Sequence, residues 1–171
     1  YQPGYEKEPA GFMKIGLELR APLREDLELF FEFQRDPVAI KMAGFHPRSL
    51  DAFMEHWEKI LADPAVTKST IVWDGRVAGN IVCFEVGDKR TVGYWLGSTY
   101  WGKGLATDAL KQFVRQVQER PLYAYLAAHN HASRRVLEKC GFVMQGSVDT
   151  PEGLSPLDGE ELLMKLGSEE T

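Results

Sequence analysis

The chain of 171 residues contains little cysteine and no long apolar run. Its two cysteines, Cys83 and Cys140, do not form a CxxC pair, which excludes a zinc ribbon and a dithiol redox motif. Two thiols in a chain of this size favour a reducing compartment, and we expect both side chains to be buried. The longest apolar stretch, residues 122–128, is far shorter than the ~20 residues that span a bilayer, so no membrane partner is expected.

Basic residues are also scarce, because 20 Lys and Arg stand against 25 Asp and Glu, a formal net charge of −5. This balance argues against a nucleic-acid partner, which would require a basic surface, and suits a cationic one. Glu6, Lys7 and Glu8 stand where a secretion signal would be apolar, so we expect a cytoplasmic protein. Residues 1–15 are interpreted as an N-terminal extension or a cloning remnant, and residues 16–171 as a single domain.

The hydrophobic pattern predicts an α/β (α+β type) fold: a mixed, mostly antiparallel sheet of about seven strands with helices on both faces. The turns Asp74-Gly75 and Gly87-Asp88 are typical of hairpins and join three strands into a meander. The segment 36–48, which contains proline and glycine, is predicted to be a loop. Strands are predicted at 15–20, 68–73, 77–86, 91–96, 122–128, 143–148 and 160–166. Helices are predicted at 23–35, between Ser49 and Asp63, at 104–120, and between Asn130 and Cys140.

The most informative segment is 94–110, in which a strand ends, glycines follow and a helix begins. The first N–H groups of a helix lack intrahelical acceptors, and small residues let an anion approach them closely. Gly102-Lys103-Gly104 is followed by Leu105, which breaks the Walker pattern, and Thr107 breaks the dinucleotide pattern. The loop is therefore either a phosphate cradle of another kind or a glycine-rich turn that binds nothing.

Three motifs resemble those of the GNAT superfamily of N-acetyltransferases. Trp101-Gly-Lys-Gly-Leu-Ala106 resembles its [Q/R]-x-x-G-x-[G/A] pyrophosphate loop, with Trp101 in the place of Gln or Arg. Asn130-x-x-Ser133 followed by Val136-Leu-Glu-Lys-Cys-Gly-Phe142 is similar to a second signature, and Gly93-Tyr-Trp-Leu96 resembles the fourth strand. The run from Tyr100 to Gly104 resembles the branch that includes the ribosomal-protein N-terminal acetyltransferases. The resemblance covers about residues 16–167 and implies a sheet splayed between its fourth and fifth strands.

The resemblance implies an enzyme that transfers an acetyl group from acetyl-coenzyme A to a primary amine by direct attack in a ternary complex, without a metal. The acceptor would be a small molecule or a protein N-terminus, and a homodimer is left open. In the family, the pantetheine arm lies along the fourth strand and the pyrophosphate lies on the loop. Carried over to this chain, the cofactor-binding residues are Trp95, Leu96, Gly97, Gly102, Lys103, Gly104, Leu105, Ala106, Thr107 and Asn130.

The catalytic candidates are Ser133 and Glu85. Ser133 stands where the serine of the ribosomal branch hydrogen-bonds the departing thiolate. Thr91 replaces the usual fourth-strand glutamate, which leaves Glu85 on the third strand as the nearest acidic candidate, or simply as a solvated side chain. Leu137 replaces the tyrosine that serves many relatives as general acid. These two replacements keep a second interpretation open, a non-catalytic acyl-coenzyme A binding or sensor domain of the same fold.

Overall fold

The structure, a computed structural model, describes residues 16–168, so the segment interpreted as an extension lies outside the described residues. Within this range there are seven strands and five α-helices, and no helix is long and apolar enough to cross a lipid bilayer. The strands are β1 (Leu17–Arg20), β2 (Thr67–Trp73), β3 (Arg76–Val86), β4 (Lys89–Leu96), β5 (Leu122–Ala127), β6 (Val143–Val148) and β7 (Glu161–Leu166). The helices are α1 (Leu27–Gln34), α2 (Pro37–Ala43), α3 (Leu50–Ala62), α4 (Leu105–Gln116) and α5 (His131–Lys139).

Helix α2 corrects the prediction of a loop at 36–48. Pro37 occupies the first helical position, where its missing N–H removes no bond, and the Asp36 carboxylate accepts from the N–H of Val38 (3.0 Å) as the cap. Gly44 ends the helix in the left-handed region with φ of 65°. The residues that were interpreted as helix breakers therefore mark the start and the end of a seven-residue helix.

Helix α4 is shorter than predicted, because it ends at Gln116 and not near residue 120. Val117 leaves the helix in an extended conformation and remains buried. The guanidinium of Arg120 turns back and donates to the carbonyl oxygens of Val114 (2.9 Å) and Val117 (2.7 Å). The last carbonyls are thus satisfied without another helical turn.

The strands form one sheet in the order β1-β2-β3-β4-β5-β7-β6, which confirms the mixed, mostly antiparallel prediction. Every neighbouring pair is antiparallel except β4 and β5, which are parallel and pair only at Thr91 and Tyr123. Beyond Thr91 the two strands separate toward the end of β4 at Leu96. The predicted splay between the fourth and fifth strands is therefore present, and it opens a gap in the middle of the sheet.

Two apolar clusters hold the layers together. The larger one joins the sheet to α4 and α5 and includes Ile81, Cys83 and Phe113, each fully buried. The smaller one joins α1 and α3, with the rings of Phe30 and Trp57 at 5.0 Å between centroids. Because successive strand residues point to opposite faces, β3 supplies both clusters. Cys83 is buried as expected, whereas Cys140 is only half-buried, and its thiol donates to the Thr107 carbonyl in the first turn of α4 (3.6 Å).

Candidate active site

A cleft of about 250 Å³ opens where β4 and β5 separate. Its walls are the end of β4, the loop and first turn of α4, the first turns of α5, and α2. Its lining contains no Asp, Glu, His, Lys, Arg or Cys side chain, so it is an apolar slot with a few polar hydroxyl and amide groups. The lining residues are Ala39, Met42, Ala43, Tyr94, Trp95, Leu96, Tyr100, Trp101, Gly102, Gly104, Leu105, Ala106, Thr107, Asn130, Ala132, Ser133 and Val136.

The loop before α4 presents unused backbone donors to this cleft. The N–H of Asp108 is the first to bond inside the helix, to the Gly104 carbonyl (3.1 Å), so the three N–H groups before it have no intrahelical acceptor. Gly102 and Gly104 have φ of 78° and 75°, and a Cβ on either residue would meet no atom within 4 Å. The helix dipole adds partial positive charge at the same place. These features make an open cradle for an anion such as a pyrophosphate.

Two residues of this loop take positions that the motif alone did not show. Trp101 donates its indole N–H to the Leu96 carbonyl (2.9 Å), which ties the loop to the end of β4. The side chain of Lys103 is exposed outside the cleft lining, with its ammonium 5.8 Å from the centroid of the Trp73 ring. The loop is therefore anchored by its first residue, while the backbone N–H groups from Gly102 to Thr107 have no acceptor within residues 16–168.

The edge of β4 that faces the gap carries backbone groups that neither β3 nor β5 pairs, although the Leu96 carbonyl already accepts from the Trp101 indole. Gly97 donates its N–H to the Ala78 carbonyl on the β3 side (2.8 Å), and in an antiparallel ladder this direction alternates along the strand. Trp95 therefore also faces β3 with its backbone, whereas Tyr94 and Leu96 face the side where β5 has already diverged. Of the three residues predicted to lie beside the cofactor here, Trp95 and Leu96 line the cleft, whereas Gly97 is outside its lining and packs against the ring of Phe33.

A pair of hydroxyl groups crosses the cleft between β4 and α5. The Tyr94 hydroxyl and Ser133 Oγ are 2.7 Å apart. Asn130 caps α5 by accepting the N–H of Ser133 at its side-chain oxygen (3.1 Å), which confirms its predicted cap. Burial raises the pKa of Tyr94 to about 12, although the bond to Ser133 acts in the opposite direction. Tyr94 therefore stays protonated at every pH at which the protein would be assayed.

The structure does not bring Glu85 to the cleft. Its side chain is exposed next to the β3–β4 turn, opposite Arg90, and four strand residues, or about 13 Å, separate Arg90 from Tyr94 along β4. Thr91 is buried and donates its hydroxyl to the Lys89 carbonyl (3.1 Å). Leu137 is buried in the core. Thr91 and Leu137, at the two positions where the resemblance led us to look for a base and an acid, are thus both buried as parts of the structure.

Tyr94 and helix α2 belong to the site although neither was predicted to do so. Ala39, Met42 and Ala43 of α2 line the cleft, and Phe45 packs on Trp95 with ring centroids 5.2 Å apart. The Asp36-Pro37 start and the Gly44 end were available signals for the helix. No local sequence pattern predicts the Tyr94–Ser133 hydrogen bond, because it joins residues that are 39 positions apart.

A second depression, of about 710 Å³, lies between β6 and the loop that precedes β7. It is larger than the cleft, but two of its three acidic side chains already have partners: Glu160 accepts from the Ser147 hydroxyl and Glu161 from the Thr150 hydroxyl. Among residues 16–168, no group of three or more His, Cys, Asp or Glu side chains is arranged to hold a metal ion. The cleft at the splay is therefore the candidate site.

Comparison of the sequence with known proteins gives two matches. The family described as "Acetyltransferase (GNAT) domain" matches residues 16–143. The chain is also 27% identical over 112 residues to YdaF of Bacillus subtilis (strain 168), which is provisionally named a ribosomal N-acetyltransferase. This second match covers 59% of the chain and 61% of the Bacillus protein, so it spans about three fifths of that relative.

Solved structures show the same architecture. Spermidine N-acetyltransferase from Vibrio cholerae, in complex with CoA and spermine, aligns with a TM-score of 0.74 at 19% identity, over 88% of this chain and 95% of that one. Aminoglycoside acetyltransferase AAC(6')-Ib, in complex with coenzyme A and kanamycin, aligns with a TM-score of 0.72 at 21% identity, over 89% and 95%. At these identities the likeness establishes the fold, and the family match covers well over half of the sequence. With its β4–β5 splay and the glycine loop before α4, the chain belongs to the GNAT acetyltransferase family.

Proposed function

We propose that the protein transfers an acetyl group from acetyl-coenzyme A to a primary amine by direct attack within a ternary complex. The observation that carries the proposal is a single cleft that joins the free N–H groups at the start of α4 to the unpaired edge of β4. The first can hold a pyrophosphate and the second can pair with the amides of a pantetheine arm. Because both features line the same cleft, one elongated ligand could bind to both.

The residues present fit that cosubstrate. The backbone from Gly102 to Thr107 would hold the pyrophosphate, and the empty space above Gly102 and Gly104 leaves room for it. The backbone of Tyr94 and the N–H of Leu96 would bond the pantetheine arm beside the side chain of Trp95, since the Leu96 carbonyl already accepts from Trp101. Asn130 would stay a helix cap while its neighbour Ser133 faces the thioester end.

Acetyl-coenzyme A should raise the melting temperature, because it binds only the folded state. At a free concentration of about 100 times Kd, the free energy of unfolding rises by ~2.7 kcal/mol. For a chain of this size the expected shift is ~5–10 °C, measured by differential scanning fluorimetry. A melting curve that does not move at millimolar acetyl-coenzyme A would contradict the proposed cosubstrate.

We further propose an acceptor whose amine ionises near or below pH ~8, such as the α-amine of a protein N-terminus or an amino acid. The cleft lining has no carboxylate or imidazole that could remove a proton from a bound ammonium. A lysine-like amine of pKa ~10.4 is neutral only ~0.04% of the time at pH 7, a cost of ~4.6 kcal/mol, whereas an α-amine near 8 costs ~1.4 kcal/mol. The net charge of −5 also suits a cationic acceptor.

The pH profile should therefore follow the substrate and not the protein. With an α-amine acceptor, we expect kcat/KM to rise with pH and to level off near the amine's own pKa. Glu85→Gln should cost less than the ~10²-fold expected for loss of a true base, because Glu85 lies outside the cleft. A profile that breaks near pH 6, together with a larger loss in Glu85→Gln, would show that this carboxylate is the base.

The same lack of a base supports a second candidate, an acyl-coenzyme A sensor that performs no transfer. Thr91 and Leu137 stand at the two positions where relatives carry acid–base groups, and both are buried. Slow hydrolysis of acetyl-coenzyme A separates the two functions, since a catalytic cleft admits water to the thioester and a sensor protects it. A screen for thiol release with peptides, amino acids, polyamines and aminoglycosides would then identify the acceptor class.

A further inference from the structure

The hydroxyl pair of Tyr94 and Ser133 has a direction that the distance alone does not give. We propose that Tyr94 is a positioning residue and not the general acid. Its hydroxyl donates a hydrogen bond to Ser133 Oγ and so turns the Ser133 hydrogen toward the sulfur of the leaving coenzyme A. This inference rests on the proposed acetyl transfer. It extends that function to a residue of β4 that touches the leaving group only through another side chain.

The geometry supports this direction. Both residues line the cleft, and their oxygens are 2.7 Å apart. The backbone of Ser133 is fixed because its N–H is held by Asn130, which leaves the hydroxyl torsion as the free variable. A serine in the first turn of a helix commonly bonds local backbone, but within residues 16–168 the Oγ of Ser133 has Tyr94 as its partner.

The chemistry of the two groups decides which hydroxyl gives its hydrogen. Tyr94 and Ser133 are both half-buried and both line the cleft, so the position of the oxygens alone does not decide it. A phenol is a stronger hydrogen-bond donor and a weaker acceptor than an aliphatic alcohol, because the ring draws on the oxygen's lone pair. Tyr94 therefore donates to Ser133 Oγ, and the Ser133 hydrogen points to whatever acceptor occupies the cleft.

In the reaction that acceptor would be sulfur. The amine nitrogen forms a bond to the carbonyl carbon, the carbon–sulfur bond breaks, and its electron pair remains on sulfur as a thiolate. The extra proton of the new amide nitrogen leaves to water, and the thiolate is later protonated from water. Tyr94 does not supply that proton: its pKa is about 12, whereas a thiol ionises near ~8.5, so transfer from phenol to thiolate would run uphill.

The test uses coenzyme A itself, so that it does not depend on knowing the acceptor. The ultraviolet absorbance of the thiolate, followed during a pH titration of the complex, gives the pKa of the bound thiol. Losing one oriented donor should reduce thiolate stabilisation ~3- to 10-fold, so Tyr94→Phe should raise that pKa by ~0.5–1 unit. Ser133→Ala should raise it at least as much, and adding Tyr94→Phe to Ser133→Ala should change nothing further.

The kinetic arm uses a short peptide with a free N-terminal α-amine as the acceptor. Tyr94→Phe should lower kcat ~3- to 10-fold and leave the KM for acetyl-coenzyme A within about 2-fold, because the hydroxyl acts on the departing thiolate and not on binding. Tyr123→Phe is the matched control, since it removes the same oxygen from the neighbouring strand β5, outside the cleft. It should leave both the thiol pKa and kcat unchanged.

Three outcomes would overturn the inference: a thiol pKa unaffected by Tyr94→Phe, additive effects of the two substitutions, or an equal effect of Tyr123→Phe. Failure of the proposed function looks different. A wild-type protein that binds coenzyme A but acetylates no amine would contradict the transfer, while the thiol titration would still decide whether Tyr94 directs Ser133. A protein that does not bind coenzyme A would overturn both.

Discussion

Replacing Gly104 with Val is expected to weaken binding of acetyl-coenzyme A at least ~100-fold. Gly104 lines the cleft just before the free N–H groups of α4, and no atom lies within 4 Å of the position that a Cβ would take. A branched side chain there would fill the space through which a pyrophosphate reaches those donors. Losing two charge-assisted hydrogen bonds costs about 3 kcal/mol or more, which corresponds to the stated loss in Kd. Isothermal titration calorimetry measures it directly.

Backbone strain is the alternative cause, and a second glycine separates the two. Gly104 has φ of 75°, where a β-branched residue is strained by about 1–2 kcal/mol whatever the space around it. Gly87 in the β3–β4 turn has φ of 61° and equally open surroundings, but it lies outside the cleft. Gly87→Val should therefore lose comparable stability and keep wild-type affinity. If it lost affinity as well, or if Gly104→Val retained it, the cradle would not be the binding site.

Gly79→Ala is expected to destabilise the protein by about 3 kcal/mol and to lower its melting temperature by roughly 6–12 °C. A Cβ on Gly79 would lie 2.1 Å from the Trp95 carbonyl oxygen and 3.0 Å from the Leu96 Cα. Both neighbours are backbone atoms, so the methyl group fits only if β3 and β4 move apart. That movement would occur at the end of β4 that lines the cleft, and affinity for acetyl-coenzyme A should fall with stability.

Gly93→Ala is the matched substitution for this experiment. Gly93 also lies in the β3–β4 ladder, but its Cβ would meet only side-chain atoms, at 3.9 Å from Val82 and 4.0 Å from Phe84. These are ordinary contacts, and the loss of chain entropy in the unfolded state should make the change neutral or stabilising by up to ~1 kcal/mol. Denaturant titration of the two variants measures the difference. Equal stabilities would mean that Gly79 is not held against the Trp95 carbonyl.

The features that could be predicted from the sequence were those that depend on the order of nearby residues. Alternation, helical periodicity and the two Gly-containing turns specify the order of strands and helices, because each depends on residues a few positions apart. Helix α2 was not predicted for a related reason. Proline and glycine inside a long helical pattern indicate a break, but the same two residues can also mark the start and the end of a short helix. In a seven-residue helix, Pro37 and Gly44 stand just inside the start and just past the end, and too little periodicity lies between them.

What the sequence could not provide was the contact between distant segments. The Tyr94–Ser133 bond requires β4 and α5 to meet across the gap, and the close packing of Gly97 on Phe33 requires β4 to cross α1. Glu85 is the opposite case, a residue that the sequence suggested for the site and that the structure leaves outside it. It is near Thr91 in the ladder, yet its exposure beside the turn follows from where the hairpin lies relative to the cleft and not from spacing.

Because β4 and β5 pair only at Thr91 and Tyr123, a small rotation about this pair has a large effect on the far end of the gap. Strands β1 to β4 form one half of the sheet, and β5, β7 and β6 form the other. The Thr91–Tyr123 pair joins the two halves at one end of the gap and can act as a hinge. Leu96 lies five residues from that pair, or about 17 Å along β4. A rotation of roughly 5° between the two halves of the sheet would therefore change the width of the gap at Leu96 by roughly 1.5 Å. That distance is the difference between a made and a broken hydrogen bond. Substitutions that repack the core beside this pair, such as at the fully buried Leu122, should therefore change ligand affinity without touching the ligand.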